Sequence, residues 1–322
     1  MNRAKQRKSR PVTTIDLTRV RTYPLSNRKS IVATGLLAKP PRRGCRVRDF
    51  LRGLPQILAA RDLLAIAEEI AARHRRGKRV VLGMGAHPIK VGLSPLIIDL
   101  MRRGILSGIA MNGASIVHDF ELAYAGETSE DVATNLADGS FGMAEDTGRF
   151  LNDAIAAAQP DEGLGAAVGR AIVEAKLPNR RLSILANGVH LGVPVTVHVA
   201  VGTDIIHMHP RADGAAIGRT SLRDFHRLAA LVSGLRGGVF INLGSAVLIP
   251  EVFVKALNLA RNVGNKVDDL ITVDMDFIRH YRPLMNVVQR PTRGSGRGYQ
   301  LTGHHEIMFP LLCAAVLENL GR

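Results

Sequence analysis

Tryptophan is absent from this 322-residue chain, aromatic residues make up only 4%, and there are two cysteines. Each shortage excludes something. Cys45 and Cys313 lie far apart and neither belongs to a C-x-x-C pair, which argues against thiolate zinc and redox-motif chemistry. With so few aromatics there is little to stack single-stranded bases on. No window holds 18 uninterrupted apolar residues, and the amino terminus lacks an apolar signal core, so neither a membrane span nor secretion is expected and the default location is cytoplasmic. Acidic residues are scarce where the chain begins. The first 50 residues hold 14 Lys/Arg and 2 Asp/Glu, a net of +12 out of +15, leaving about +3 for the other 272. The body is close to neutral, and its basicity is that of a leader. No membrane partner and no specific nucleic-acid partner are expected.

What is present is an α/β pattern. Residues 79 to 121 read as a βαβ unit: a short apolar run broken by glycine (Arg79 to Met84), the tight turn Gly85-Ala86-His87-Pro88, a helix over Leu93 to Arg103, a strand over Ser107 to Met111, and the small-residue turn Asn112-Gly113-Ala114-Ser115. In an open parallel sheet, ligands bind beyond the carboxyl ends of strands, where small residues admit phosphates to backbone N–H groups. A nucleotide site is the first expectation, although neither turn matches G-x-G-x-x-G or a P-loop.

The rest of the chain reads as Val47 to Leu54 and Ala59 to His74 helical, His118 to Ala125 a helix start, then helices through Ala158 and over Leu164 to Ala175. Strands are expected at Leu182 to Ala186, Pro194 to Ala200, Gly238 to Leu243 and Leu270 to Val273. Helices are expected at Ala212 to Leu235, Ala246 to Arg261 and His305 to Leu320, with a basic Gly- and Pro-rich loop over 282–298. This alternation predicts a doubly wound, mostly parallel Rossmann-like sheet. Residues 1–45 read as a basic extension, disordered to about residue 12, and 46–322 as one α/β domain.

Three stretches together resemble deoxyhypusine synthases. Gly83 to Leu100 is similar to that family's strand-turn-helix, whose turn meets NAD. The stretch from Asn112 to Asp119 resembles its Thr-Ala-Gly-Gly-Val-Glu-Glu-Asp motif. Phe240 to Ala246, with Gly303 to Leu312, resembles its glycine-rich strand end and its last helix with Phe-Pro-Leu-Leu. The resemblance covers about residues 50–322. It implies NAD as cofactor, a homotetramer, and cofactor contacts at Ala86, His87, Asn112, Gly113, Ala114, His118, Gly244, Ser245, Asp274 and His304, with Asp274 placed to hold ribose hydroxyls. The departures bear on chemistry. The family's imine-forming lysine is missing from the loop Arg293-Gly294-Ser295-Gly296-Arg297, and a guanidinium is no amine nucleophile. The acidic polyamine loop is replaced by basic and neutral residues from Arg279 to Arg297. The expected function is therefore an NAD-dependent enzyme on a small acidic or amphoteric substrate.

Candidate catalytic residues are Glu251, a general base if burial raises its pKa; Arg297, clamping an anionic substrate together with Arg290 and Arg293; and Asp204. Lys90 could face a pyrophosphate. His207-x-His209, in an extended segment, would put both rings on one face and, with His198 and the pair His304-His305, could surround a divalent metal with Glu306 or Asp204 as a further ligand. No metal is assigned. The alternatives are an aminobutyl transferase of the deoxyhypusine or homospermidine synthase type, needing Lys255 or Lys266 in the pocket, a metal-dependent hydrolase, and a nonenzymatic nucleotide-binding protein.

Overall fold

The computed structural model describes residues 13–321. The disorder expected up to residue 12 falls outside that range. The described chain divides between Leu37 and Ala38. Residues 13–37 contain three short 3-10 turns, Leu17–Arg19, Leu25–Asn27 and Thr34–Leu36, none with a buried residue.

From Ala38 onward the order is α1 (Val47–Gly53), α2 (Leu58–Arg75), β1 (Val80–Met84), α3 (His87–Lys90), α4 (Ser94–Arg102), β2 (Gly108–Asn112), α5 (Gly113–Tyr124), α6 (Val132–Asp138), α7 (Glu145–Ala156), α8 (Leu164–Glu174), α9 (Ile184–Leu191) and β3 (Val195–His198). It continues with α10 (Gly214–Ser233), β4 (Val239–Leu243), α11 (Leu248–Asn262), β5 (Leu270–Asp276), α12 (Tyr281–Pro283), β6 (Gly296–Thr302) and α13 (His305–Leu320). The six strands form one sheet in the order β3-β2-β1-β4-β5-β6, every pairing parallel. The expected doubly wound, Rossmann-like class is the one observed. Neighbouring strands β1 and β4 lead away in opposite directions along the sheet, so the topological switch point lies between their carboxyl ends.

Both faces are covered at the centre of the sheet, which is why β1 and β4 are buried along their whole length and mostly apolar. Alternation along β1 divides the core: Val80, Leu82 and Met84 enter the larger cluster with residues of α2, α4 and α13, while Val81 joins the smaller one with α10 and α11. In that smaller layer Phe240 and Phe253 stack with ring centroids 3.6 Å apart. Gly83 is required in β1 because a Cβ there would lie 2.5 Å from Ile249 and 2.8 Å from Phe240.

Three expectations fail for identifiable reasons. The helix expected to start at His118 starts at Gly113, because Asn112 caps it there and the small-residue turn is its first turn. Leu182 to Ala186 is no strand: Ser183 caps α9 by accepting from the Ala186 N–H, and buried Asp119 accepts from the Ile184 N–H at 2.6 Å and the Ser183 hydroxyl at 2.5 Å. A carboxylate at the positive end of the dipole turns an apolar run into a helix. Residues 282–298 are likewise no loop. Helix α12 runs into a π-helical turn, Leu284–Gln289, and the chain then becomes β6, an edge strand whose glycines hid it. Gly296 pairs with Leu270, at φ +93°, and a Cβ there would meet the Leu270 carbonyl at 2.2 Å. Strand β5 also extends beyond Asp274 to Asp276.

Candidate functional site

Around the switch point the turns after β1 and β4 lean on each other. Gly85 donates its N–H to the Leu243 carbonyl at 3.1 Å, and Gly244 donates to Met275 at 2.9 Å. Gly244 adopts φ +66°, and a Cβ on it would sit 2.9 Å from the His305 ring. His305 is buried, donates from Nε2 to the Met275 carbonyl at 3.2 Å, and leaves Nδ1 without a partner. Its ring lies 5.3 Å from that of His87, and Phe277 completes the aromatic group at 5.6 Å from His87. Ala86, His87 and Gly244 therefore do come together, with the buried His305 and not His304 as their neighbour. The His304 side chain is 72% exposed and faces Glu306 at 3.7 Å.

Several expected cofactor contacts are occupied by the fold itself. Asn112 caps α5, its Oδ1 accepting from the Ser115 N–H at 3.2 Å and hydroxyl at 2.7 Å. Ser245 accepts from the Ile249 N–H. Asp274, expected to hold a ribose, is buried at 1% exposure and accepts from Asn242 at 2.8 Å and Gln300 at 3.1 Å, so its carboxylate is turned into the fold. Burial pushes its carboxyl above the usual range.

A roomy feature at this end of the sheet lies one strand over. A cavity of about 610 Å³ opens beside α5, walled by Ala114, His118 and Asp204, all named from sequence, and by Lys90. It also collects Glu121, Glu127, Glu130 and Asp146, so five carboxylates face one lysine. Asp204 rests over the first turn of α5. A Cβ on Gly113 would lie 1.9 Å from its Oδ2, and that glycine is what admits the carboxylate. Desolvation raises the Asp204 pKa to about 6, with the Ala114 N–H pulling the other way. Oδ2 has no hydrogen-bond partner, and neither does His207 Nε2, 4.0 Å away. His118 is driven down to about 4 by burial and by Lys90. Its Nδ1 lies 2.7 Å from the Thr128 hydroxyl, which lies 2.5 Å from Glu121; Thr147 donates to the other Glu121 oxygen at 3.2 Å.

Two of the expected catalytic residues are elsewhere. Arg297 pairs with Ile271 near the start of β6 and lies over the Tyr299 ring at 4.6 Å. At the usual rise per strand residue it is about 15 Å from the carboxyl end of the sheet. The basic stretch from Arg290 to Arg297 therefore faces the wrong end to clamp a substrate. Glu251 lies at the start of α11, bonded to Lys255 and, at 2.8 Å, to Asn286. These partners, Lys255 foremost, hold its carboxyl below the ordinary range, which removes the condition for a base of raised pKa. We expect Arg297→Ala to leave ligand affinity at the α5 cavity unchanged within twofold by calorimetry; a larger loss would place the guanidinium at the site after all.

Neither candidate lysine serves the cavity. Lys255 is tied to Glu251 and Lys266 is exposed. The histidine clusters do not assemble either: among the described residues no three His, Cys, Asp or Glu side chains converge to hold a metal ion. His207 belongs to the 3-10 turn Ile205–Met208 and His209 follows it, so the two are not on one extended segment and their rings diverge. His207 Nδ1 accepts from the Gly202 N–H at 3.1 Å, whereas His209 turns to Glu145 at 3.2 Å.

Sequence reasoning missed Glu121, Thr128, Glu130, Asp146 and Thr147. One signal was available, since His118 and Glu121 are three apart and share a helix face. Among the described residues no helix is long and apolar enough to cross a membrane.

No protein-family model and no curated protein sequence matches the chain. Solved structures do. A chain from Entamoeba histolytica provisionally described as a deoxyhypusine synthase aligns with 86% of this chain and 94% of its own at 11% identity and TM-score 0.51. A conserved protein from Methanococcus maripaludis S2 provisionally described as LOR/SDH aligns over 82% and 71% at 14% identity and TM-score 0.53. AgrE, solved with ornithine and NAD+, aligns over 81% of this chain at 13% identity and TM-score 0.53. The chain spans about a third of AgrE and of ArgZ, a cyanobacterial arginine dihydrolase, at 34% and 31% of their lengths. At these identities the likeness is one of fold: a parallel α/β sheet shared with a deoxyhypusine synthase-type chain, a LOR/SDH chain and a protein that binds NAD+.

Proposed function

We propose that this protein is an NAD-dependent enzyme acting on a small amphoteric substrate that carries an amine. The observation carrying this reading is the cavity beside α5: about 610 Å³, one strand from the switch point, with five carboxylates and one lysine on its wall. The volume suits a small molecule. The carboxylates suit a cationic amine, and Lys90 suits a substrate carboxylate. The amphoteric half of the sequence expectation is retained on new grounds, because the arginines that first suggested it lie at the other end of the sheet.

The residues present fit a dinucleotide in one respect and not in another. At the start of the 12-residue helix α5, Asn112 accepts from the Ser115 N–H and the carboxylate of Asp204 rests over the first turn. That is where a pyrophosphate oxygen would be held at a helix N-terminus. The space that Gly113 leaves is filled by this carboxylate, so Asp204 would have to yield its place. Asp274 does not fit the ribose role. NAD, when bound, would supply the hydride acceptor; the chain's own residues bind and orient the amine. AgrE, of similar fold, has been solved with ornithine and NAD+, which supports the combination.

Calorimetric titration with NAD, followed by L-ornithine in the presence of NAD, tests this. Binding of both, each strengthening the other, is expected. Absence of NAD binding would leave only the fold in common with the nucleotide-binding neighbour and would overturn the reading.

A further inference from the structure

Resting on the reading of the cavity as an amine site, we infer that His118 is its specificity-determining acceptor: Thr128 and Glu121 hold the ring so that Nε2 presents a lone pair to the primary ammonium group of the ligand. The assignment follows from counting protons. A threonine hydroxyl carries one proton, and a carboxylate only accepts. Thr128 Oγ1 lies 2.5 Å from Glu121 Oε2, so its proton is committed there. His118 Nδ1, 2.7 Å from the same oxygen, must therefore donate. A neutral imidazole has a single N–H, which leaves Nε2 as an acceptor. That atom has no hydrogen-bond partner among the described residues and keeps contact with solvent, and the side chain to which it belongs lines the cavity.

The charges around the ring define what it can accept from. Lys90 approaches from α3, Glu121 from its own helix, Glu127 and Glu130 from the following loop, Asp146 from α7 and Asp204 from the turn across the cavity. Burial and the nearby Lys90 keep the imidazole neutral down to about pH 4, so it does not repel a cation. The surrounding carboxylates favour a positive donor over a neutral hydroxyl, and Lys90 favours a ligand that also carries a carboxylate. An amino acid with a primary amine meets both demands, and a simple carboxylic acid meets only the second. His118 binds and positions; Thr128 and Glu121 act through it.

Nitrogen NMR of protein labelled at the imidazoles, with the resonances assigned by comparison with His118→Gln, reads the tautomer directly. Nδ1 of the pyrrole type and Nε2 of the pyridine type are expected at neutral pH. Thr128→Val should shift the proton to Nε2 and weaken L-ornithine binding by at least about tenfold, with Thr128→Ser restoring both. Ornithine should shift the Nε2 resonance, pentanoate should not, and ornithine binding should weaken as the pH falls toward about 4. A proton on Nε2 in the unmodified protein would overturn the acceptor assignment. The expected tautomer with an Nε2 indifferent to ornithine would overturn the ammonium assignment. Neither measurement uses NAD, so a failure here is separate from a failure of cofactor binding.

Discussion

Replacing Asp204 with asparagine should make the protein more stable at neutral pH, and the gain should vanish in acid. The Asp204 side chain is 5% exposed, its Oδ2 has no partner, and its pKa stands at about 6 against an ordinary 3.8. The folded state therefore holds a proton that the unfolded chain has already lost across that interval. For a raised pKa the associated stability is complete below the unfolded value and disappears as pH rises through the folded one. Above pH 6 the buried charge accordingly costs on the order of 2–3 kcal/mol, from about 1.4 kcal/mol per pKa unit. Asparagine keeps the shape without the charge. Thermal melts of both proteins should coincide near pH 4 and separate by several degrees at pH 8, the variant being higher. Coincident melts at every pH would show that the carboxylate is not desolvated as described. Functional sites commonly retain such costs. The same substitution removes the negative charge from the α5 N-terminus and should tighten NAD binding, since the pyrophosphate would no longer have to displace an anion.

Gly85→Ala should have an effect of similar size in the opposite direction. A Cβ at Gly85 would lie 2.3 Å from the Gly244 carbonyl oxygen and 3.2 Å from its carbon. Those are backbone atoms and cannot rotate away, so the turns after β1 and β4 must part. Overpacking of this kind costs about 1–3 kcal/mol, and the rigid obstacle puts this site at the upper end. The urea midpoint should fall with an unchanged slope. Gly218→Ala is the internal control. That glycine is in α10 with nothing within 4 Å of its Cβ position, and alanine there should stabilise by about 0.5–1 kcal/mol. If Gly85→Ala were as benign as Gly218→Ala, the switch-point turns would not be in the contact described. Because they lie apart from the wall of the α5 cavity, ornithine affinity in Gly85→Ala should change less than stability does.

The sequence alone was enough for those features in which local pattern and burial agree. Short, mostly apolar runs at Arg79 to Met84 and Gly238 to Leu243, bounded by glycine turns, read as strands covered on both faces, and their alternation with helices implied the parallel doubly wound sheet. The small turns at Gly85, Gly113 and Gly244 follow the carboxyl ends of β1, β2 and β4, as the sequence pattern implied. The site was less legible because its parts come from segments with no local sign of one another. Asp204 reaches the first turn of α5 from about ninety residues away, and Gly113 gives no hint that a carboxylate fills the space where its side chain would be. The run Leu182 to Ala186 became a helix because Asp119, far upstream, binds its N–H groups. Arg297 looked like part of a substrate clamp until β6 took up its place in the sheet and carried it to the opposite end, since direction along a strand depends on pairing and not on composition. Composition and periodicity determined which layers this chain forms; which charges meet at the end of the sheet was decided only by the tertiary structure, because a carboxylate's reach and its desolvation are properties of what packs around it.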